Sequence, residues 1–260
     1  MNTDTDVVPV ILALSGHDPT GAAGIQADME SIHENGGRCI SVITALTAQN
    51  TTCFEEILPQ DPVNFRKQVD LLTADIPINA CKVGLIGSSR LVSVIAQLAE
   101  TMANIPWIVD PVLQSGTGTD LADADIIDAL FTRLFPRTTM LTPNLGEARK
   151  LTGLTDSDAA AGLLLETGCQ NVLITDTRPN TATVTNVLYS HNGRPKSMEW
   201  DRLPGTYHGS GCTLSSAIAA CLAQGMDTVS AVEKAQTFTW RALQRGEKIG
   251  KGQIHPQRLI

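Results

Sequence analysis

The chain has 260 residues, 42% of them hydrophobic and 18% charged, with a formal net charge of −8. This composition can fill a sizeable core and excludes intrinsic disorder, which combines low hydrophobicity with high net charge. The acidic balance leaves no footprint for a phosphate backbone, so no nucleic acid is expected as a main partner. No apolar stretch approaches the roughly 20 residues that span a bilayer, so no membrane is expected either.

Before the first apolar run stand aspartates and no Lys or Arg, unlike a signal peptide; a cytoplasmic location is expected. Residues 7–14 (VVPVILAL) read as a buried strand. Residues 21–35 place Ile25, Met29 and Ile32 at helical spacing, and Gly36-Gly37 closes that helix. Residues 39–46 (CISVITAL) form a second strand. Pro62 then opens a helix carrying Phe65, Val69 and Leu72. A strand at 81–86, a helix at 90–102 and a strand at 105–109 lead to Asp110-Pro111. A helix at 122–135 and a short strand at 139–141 precede Pro143-Asn144; helices at 147–151 and 159–167 and a strand at 171–175 follow. The period then changes. Residues 183–200 are β-rich around His191-Asn192-Gly193, and Asn-Gly is a strong hairpin signal. After Gly209-Ser210-Gly211 come helices at 212–224 and 229–243, and the polar tail from Gly246 reads as loosely held.

Strands alternating with helices predict an α/β fold: a three-layer αβα sandwich with a mostly parallel central sheet and a small β-hairpin near 183–200. No break in composition divides the chain, so 1–260 reads as a single domain. Ligands of such sheets bind outside the carboxyl ends of the strands, which nominates 15–18, 47–50, 110–118, 142–147 and 176–181. The six cysteines show no C-x-x-C spacing, and a chain of this length needs no disulfide framework. Five of them read as inert core residues. His33 and His255 read as surface residues, His191 as a turn residue, and the three tryptophans as packing.

The strongest local signal is His208-Gly209-Ser210-Gly211-Cys212-Thr213 running into LSSAIAACLA. Glycines before a helix let its free amides face an anion such as a phosphoryl group in transfer. Cys212, in the first turn, would have its thiolate favoured by the helix dipole and could accept a proton from an attacking hydroxyl. The plainer alternative is a packing turn with Cys212 as a small buried residue. Asp110 and Glu147, each just past a strand, could hold Mg²⁺ through water. Equally, Asn144 and Glu147 fit a helix capping box, and both readings are compatible. Residues 15–28 (SGHDPTGAAGIQAD) match neither a dinucleotide fingerprint nor a Walker A loop. Asp28 shares a helix face with Gly24, either beside a flat ligand or as a plain surface aspartate.

Taken together, SGHDPTGAAGIQAD, SVITALTAQNT, CKVGLIG, VDPV, LTPNLGEA and HGSGCTLSSAIAA resemble the hydroxymethylpyrimidine/phosphomethylpyrimidine kinase family of the ribokinase-like superfamily, across nearly the whole chain. The resemblance implies ATP- and Mg²⁺-dependent phosphorylation of 4-amino-5-hydroxymethyl-2-methylpyrimidine and then of its monophosphate, for thiamine biosynthesis. It implies that Cys212 is the base, that Gly209, Ser210 and Gly211 form the anion hole, and that Gln49, Gly16 and Asp28 line the aminopyrimidine pocket. Asp110 and Glu147 fall in the Mg²⁺ and phosphate region, with Thr175 on the nucleotide side. A homodimer is implied as well.

The chain departs from the family's pattern in three places. Ala22 stands in a usual G-G-A-G, Ser210 in a usual G-T-G-C, and Thr175-Asp176-Thr177-Arg178 where K-G-G-H is common. The last change removes a phosphate-approaching lysine and leaves Arg178 as the candidate cation. Pyridoxal or pyridoxine kinase activity is the alternative within the same superfamily. A non-catalytic pyrimidine-binding sensor is the alternative from another class.

Overall fold

β1 (Val10–His17) lies inside a single sheet of nine strands in the order β3-β2-β1-β4-β5-β6-β7-β8-β9. The architecture comes from a computed structural model that describes residues 8–176, 178, 181–191 and 193–259. In chain order α1 (Gly24–Glu34), β2 (Arg38–Gln49), β3 (Phe54–Pro59) and α2 (Pro62–Asp75) follow β1. Next come β4 (Ala80–Val83), α3 (Ser89–Thr101), β5 (Trp107–Val109), α4 (Ala124–Ala129), β6 (Met140–Leu141), α5 (Leu145–Thr152), α6 (Ser157–Glu166) and β7 (Asn171–Ile174). The chain ends with β8 (Thr183–Ser190), β9 (Lys196–Asp201), α7 (Ser210–Ala223) and α8 (Thr228–Gln244). β2, β1, β4, β5, β6 and β7 are mutually parallel; β3 and the β8–β9 hairpin run antiparallel at the two edges.

Alternation along the strands separates two cores. Leu12, Leu14, Val83, Trp107, Val109, Leu141, Val172 and Ile174 face α2 to α6. Ile11, Ala80, Ile108, Met140 and Leu173 face α1, α7 and α8. This is the expected three-layer sandwich, because a parallel strand buried on both faces needs apolar residues on both. Acidic, Ser and Asn caps start the helices: Asp61, Ser88, Asp123, Asn144, Asp156 and Asp227 each accept from a first-turn amide.

Several expectations change. The helix at 122–135 is α only to Ala129 and continues as a π turn and a 3₁₀ turn to Arg137. Strand β3 has no counterpart in the sequence reading; its run FEEILP carries mostly exposed side chains, so no clean alternation marks it. The hairpin near 183–200 is present as β8 and β9, while the predicted turn residue Asn192 lies outside the described residues. The tail from Gly246 is not loose. Ile254 pairs with Tyr207, His255 with Glu247, and Arg258 is 1% exposed. Ionic and polar contacts hold it rather than an apolar face, so hydropathy gives no sign of it. Cys53 is exposed, against the core role expected for it, and all six cysteines are free. No described helix is long and apolar enough to cross a membrane.

Candidate active site

The carboxyl ends of the parallel strands and the N-terminus of α7 converge at one end of the sheet, and two cavities lie there on either side of the α7 start. The smaller, about 60 Å³, is lined by Gly16, His17 and Asp18 after β1, Thr47 and Gln49 on β2, Phe54 on β3, and His208 and Cys212. The larger, about 450 Å³, is lined by Thr175 and Asp176 after β7, by Trp200 and Trp240, and by Ser210 and Gly211. Neighbouring residues of a single helical turn thus face different cavities.

Gly209 takes a left-handed conformation, φ 82°, and is the N-cap of α7. A Cβ there would strike the Ala22 carbonyl oxygen, so only glycine fits. The first-turn amides of α7 have no helical acceptor and are free to bind an anion. Asp110 packs on this turn, its Oδ2 3.4 Å from where a Gly211 Cβ would be and 3.5 Å from Ser215 Oγ. Gln49 Nε2 donates to Thr47 Oγ1 at 3.0 Å, leaving its carbonyl and a second N–H for the small pocket.

Burial overrides the helix dipole at Cys212. Loss of water pushes its thiol up to about 12, although the Lys82 charge pulls the other way. The expected ready thiolate is therefore corrected: the resting group is a thiol. Asp28 is also not where it was expected. It is wholly buried and lines neither cavity; Lys82 Nζ donates to its Oδ1 at 2.7 Å and Ser216 Oγ to the same oxygen at 2.7 Å. Lys82 went unremarked in the sequence, yet a lysine inside the strand ACKV, on the face of Ala80, can only be buried with a partner.

Asp110 is raised to about 6 by burial, against the pull of Lys82, and Glu147 to about 8 by burial and by the Asp110 charge. Glu147 also closes the capping box, its Oε2 accepting from Asn144 N at 2.9 Å while Asn144 Oδ1 accepts from Glu147 N at 3.0 Å. The capping-box reading of this residue is therefore borne out. Among the described residues no cluster of three or more His, Cys, Asp or Glu forms a metal cage. Two buried, mutually repelling carboxylates fit a cation that draws its other ligands from phosphate and water, as Mg²⁺ does.

Sequence reasoning also missed Asp18 and His208 as a pair. His208 Nε2 lies 3.1 Å from Asp18 Oδ2, and Asp18 accepts from the Thr20 and Ala23 amides. Burial pushes the Asp18 carboxyl up, but the His208 and Thr20 contacts outweigh it and hold it below the usual range. His255 is half-buried, not a surface residue, and its Nε2 has no partner among the described residues. Trp107 packs in the core as expected, whereas Trp200 and Trp240 stand at the large cleft, ring centroids 6.4 Å apart. Arg178 is clasped by Asp176, and Thr177 lies outside the described residues.

Residues 18–257 match the family described as phosphomethylpyrimidine kinase. The chain belongs to that family. It is 36% identical over 256 residues to a hydroxymethylpyrimidine/phosphomethylpyrimidine kinase of Synechococcus elongatus, covering 95% of each chain. It is 34% identical to the thiamine biosynthesis bifunctional protein ThiED of Geobacter sulfurreducens, covering 93% of this chain but spanning only 50% of that protein. A Clostridium difficile phosphomethylpyrimidine kinase superposes with a TM-score of 0.77 at 30% identity, covering 90% of this chain and 99% of that one. Staphylococcus aureus pyridoxal kinase in complex with AMP-PCP and pyridoxal superposes with a TM-score of 0.87 at 25% identity, covering 97% and 94%. The ribokinase-like fold of these kinases is thus the fold of this member of the family.

Proposed function

We propose that this phosphomethylpyrimidine kinase family member acts as one ATP-dependent kinase domain on the hydroxymethyl group of 4-amino-5-hydroxymethyl-2-methylpyrimidine, and then on its monophosphate, supplying thiamine biosynthesis. One observation carries the reading: Cys212 faces the small pocket while Ser210 and Gly211 face the large cleft. An acceptor alcohol in the first and a nucleoside triphosphate in the second would meet across the free amides of α7, in the in-line arrangement that phosphoryl transfer requires.

In this reading Gln49 pairs with the amino and ring-nitrogen edge of the pyrimidine, and Gly16 lets the ring lie close to the backbone. Cys212, once deprotonated with the help of the Lys82 charge and the Gly24 amide, accepts the hydroxyl proton as the oxygen attacks. Gly209, Ser210 and Gly211 present amides to the charge that builds on the moving phosphoryl group. Asp110 and Glu147 would hold Mg²⁺, which supplies charge neutralisation on the phosphates when bound; Thr175 borders the nucleotide side. Asp28 acts behind the site, through Lys82, rather than on the ring.

A homodimer accords with the apolar Leu46 and Leu58, which sit opposite each other on β2 and β3 and are 40% and 44% exposed at the sheet edge. The six free cysteines accord with a reducing compartment such as the cytoplasm.

The test is ADP release by the purified protein with ATP and Mg²⁺, offered the pyrimidine alcohol, its monophosphate and pyridoxal in parallel. Turnover of both pyrimidines with a higher kcat/KM than pyridoxal is expected. Turnover of pyridoxal alone would replace this reading with the vitamin B6 kinase. ATP-independent pyrimidine binding with no turnover would leave a sensor.

A further inference from the structure

Arg258 lies near the end of the polar tail, far in sequence from every residue given a role above, yet only 1% of its surface is exposed. Its guanidinium reaches three places. Nε donates to Thr213 Oγ1 at 2.8 Å, Nη1 to Glu30 Oε2 at 3.0 Å, and Nη2 to the Ala22 carbonyl oxygen. Thr213 Oγ1 passes the contact on, donating to the Gly209 carbonyl at 2.8 Å, and Thr213 N donates to the same carbonyl at 2.9 Å. Ala22 O lies directly against the Gly209 α-carbon, and Nη2 is 2.9 Å from where a Gly209 Cβ would stand.

Two glycine-bearing turns therefore face each other, and one cation fastens both. The turn at Ala22–Gly24 enters α1, and the Gly24 amide favours the Cys212 thiolate. The turn at Gly209–Gly211 carries the free amides of α7. The tail itself is threaded past the site: Gln253 lines the large cleft, Ile254 pairs with Tyr207, and Gly252 N donates to Thr51 Oγ1 at 3.3 Å beyond β2. A guanidinium suits this task because its fork can meet three acceptors at once in fixed directions. A chain of hydrogen bonds from cation to hydroxyl to carbonyl also stiffens through mutual polarisation.

We infer that Arg258 is a positioning residue: from the C-terminal tail it clamps the Ala22–Gly24 turn, a wall of the small pocket, to the Gly209–Gly211 turn and so fixes that wall against Cys212 and the anion-binding amides. The inference rests on the kinase reading above for its catalytic consequence, but its geometric part stands apart from it. A displacement of about 1 Å between reacting groups can cost on the order of 100-fold in rate.

The experiment uses the full-length protein with Arg258→Met, Thr213→Val, the double variant, and Glu30→Gln as the control that breaks only the outer contact. Steady-state kinetics are combined with amide hydrogen exchange of the peptide spanning residues 208–215. Arg258→Met is expected to lower kcat by about 10- to 100-fold with each KM within about threefold, and to speed exchange at the Thr213 amide. Thr213→Val should move both readouts the same way, and the double variant should be no slower than Arg258→Met, since both remove one linkage. Glu30→Gln should lower Tm slightly and keep kcat. The inference is overturned if folded Arg258→Met keeps kcat within about twofold, if the two losses multiply, if Glu30→Gln loses as much kcat as Arg258→Met, or if exchange at 208–215 is unchanged. Should Arg258→Met fail to fold, the kcat and exchange of Thr213→Val decide it. Should the wild-type protein turn over no alcohol, the kinase reading fails by itself and the exchange measurement alone judges the clamp.

Discussion

The Lys82 ammonium and the Asp28 carboxylate meet at 2.7 Å with both side chains wholly shielded from solvent. Burial works against the Lys82 ammonium; the Asp28 charge, with a smaller contribution from Asp110, more than reverses this. Ser15 and Ser216 supply further hydrogen bonds to the pair, while Asp28 Oδ2 has no partner among the described residues. The pair thus places a fixed charge beneath the first turn of α7, where two acidic groups and a thiol would otherwise face one another unopposed.

Lys82→Met leaves the Asp28 carboxylate buried without its cation. The variant is expected to lose about 3–5 kcal/mol in urea denaturation, because a single charge stranded in the interior keeps its whole desolvation penalty. The double variant Lys82→Met, Asp28→Leu should recover most of that loss in stability but not in kcat, because the charge below Cys212 and Asp110 is still gone. Equal loss of stability in the single and double variants would show that the ion pair is not the source.

Burial pushes the Cys212 thiol up to about 12, so iodoacetamide at neutral pH should label exposed Cys53 long before it reaches Cys212. Cys212→Ala is expected to lower kcat by about 100- to 10,000-fold, with nucleotide affinity changed little. Calorimetry with ADP separates the two quantities. A Cys212→Ala enzyme that keeps its kcat removes Cys212 from the proton transfer.

Asp110 and Glu147 give a pH dependence of definite sign. Their folded values, about 6 and about 8, lie above those of the unfolded chain. The folded protein therefore binds more protons, and this contribution to stability falls as pH rises from about 4 through about 8. A dication needs both groups ionised, so Mg²⁺ binding releases protons and its gain in Tm should grow between about pH 6 and about pH 8.5. Glu147→Gln keeps an oxygen for the Asn144 amide, so the helix cap survives while the pH slope and the Mg²⁺ response shrink. Thermal scans with and without Mg²⁺ at several pH values check this; an unchanged Mg²⁺ response in the variant would remove Glu147 from the cation site.

Much of this was legible in the sequence, and the gaps have physical causes. Apolar runs such as VILAL announce strands buried on both faces, and glycines before LSSAIAACLA announce the start of a helix with free amides. Edge strand β3 was not legible because its exposed residues need no apolar pattern. Arg258 was not legible because its partners lie 45, 228 and 236 residues away, and nothing local distinguishes it from a surface arginine. Lys82 could have been found: a lysine two positions from Ala80 in a doubly buried strand has no route to water. At Cys212 the sequence rule and the structure diverge because a helix dipole contributes little against complete desolvation.

The segment that replaces K-G-G-H separates two accounts of how phosphates are held. If Arg178 stood in for the family's lysine, its charge would be available to the cleft. In the structure Arg178 is 63% exposed, and its Nε and Nη2 lie 3.0 and 2.9 Å from the two oxygens of Asp176, a residue of the cleft wall. The guanidinium therefore neutralises Asp176 and adds little net field. Arg178→Ala should expose that carboxylate to ATP and raise the KM for ATP by about three- to tenfold, equally for the pyrimidine alcohol and its monophosphate. Asp176→Asn should free the guanidinium and lower the same KM, an effect that fades at high salt because the freed guanidinium is exposed to counter-ions. Initial rates with both acceptors at varied ATP and ionic strength check this. A selective collapse of the monophosphate reaction in Arg178→Ala would instead make Arg178 a direct phosphate ligand of the second step.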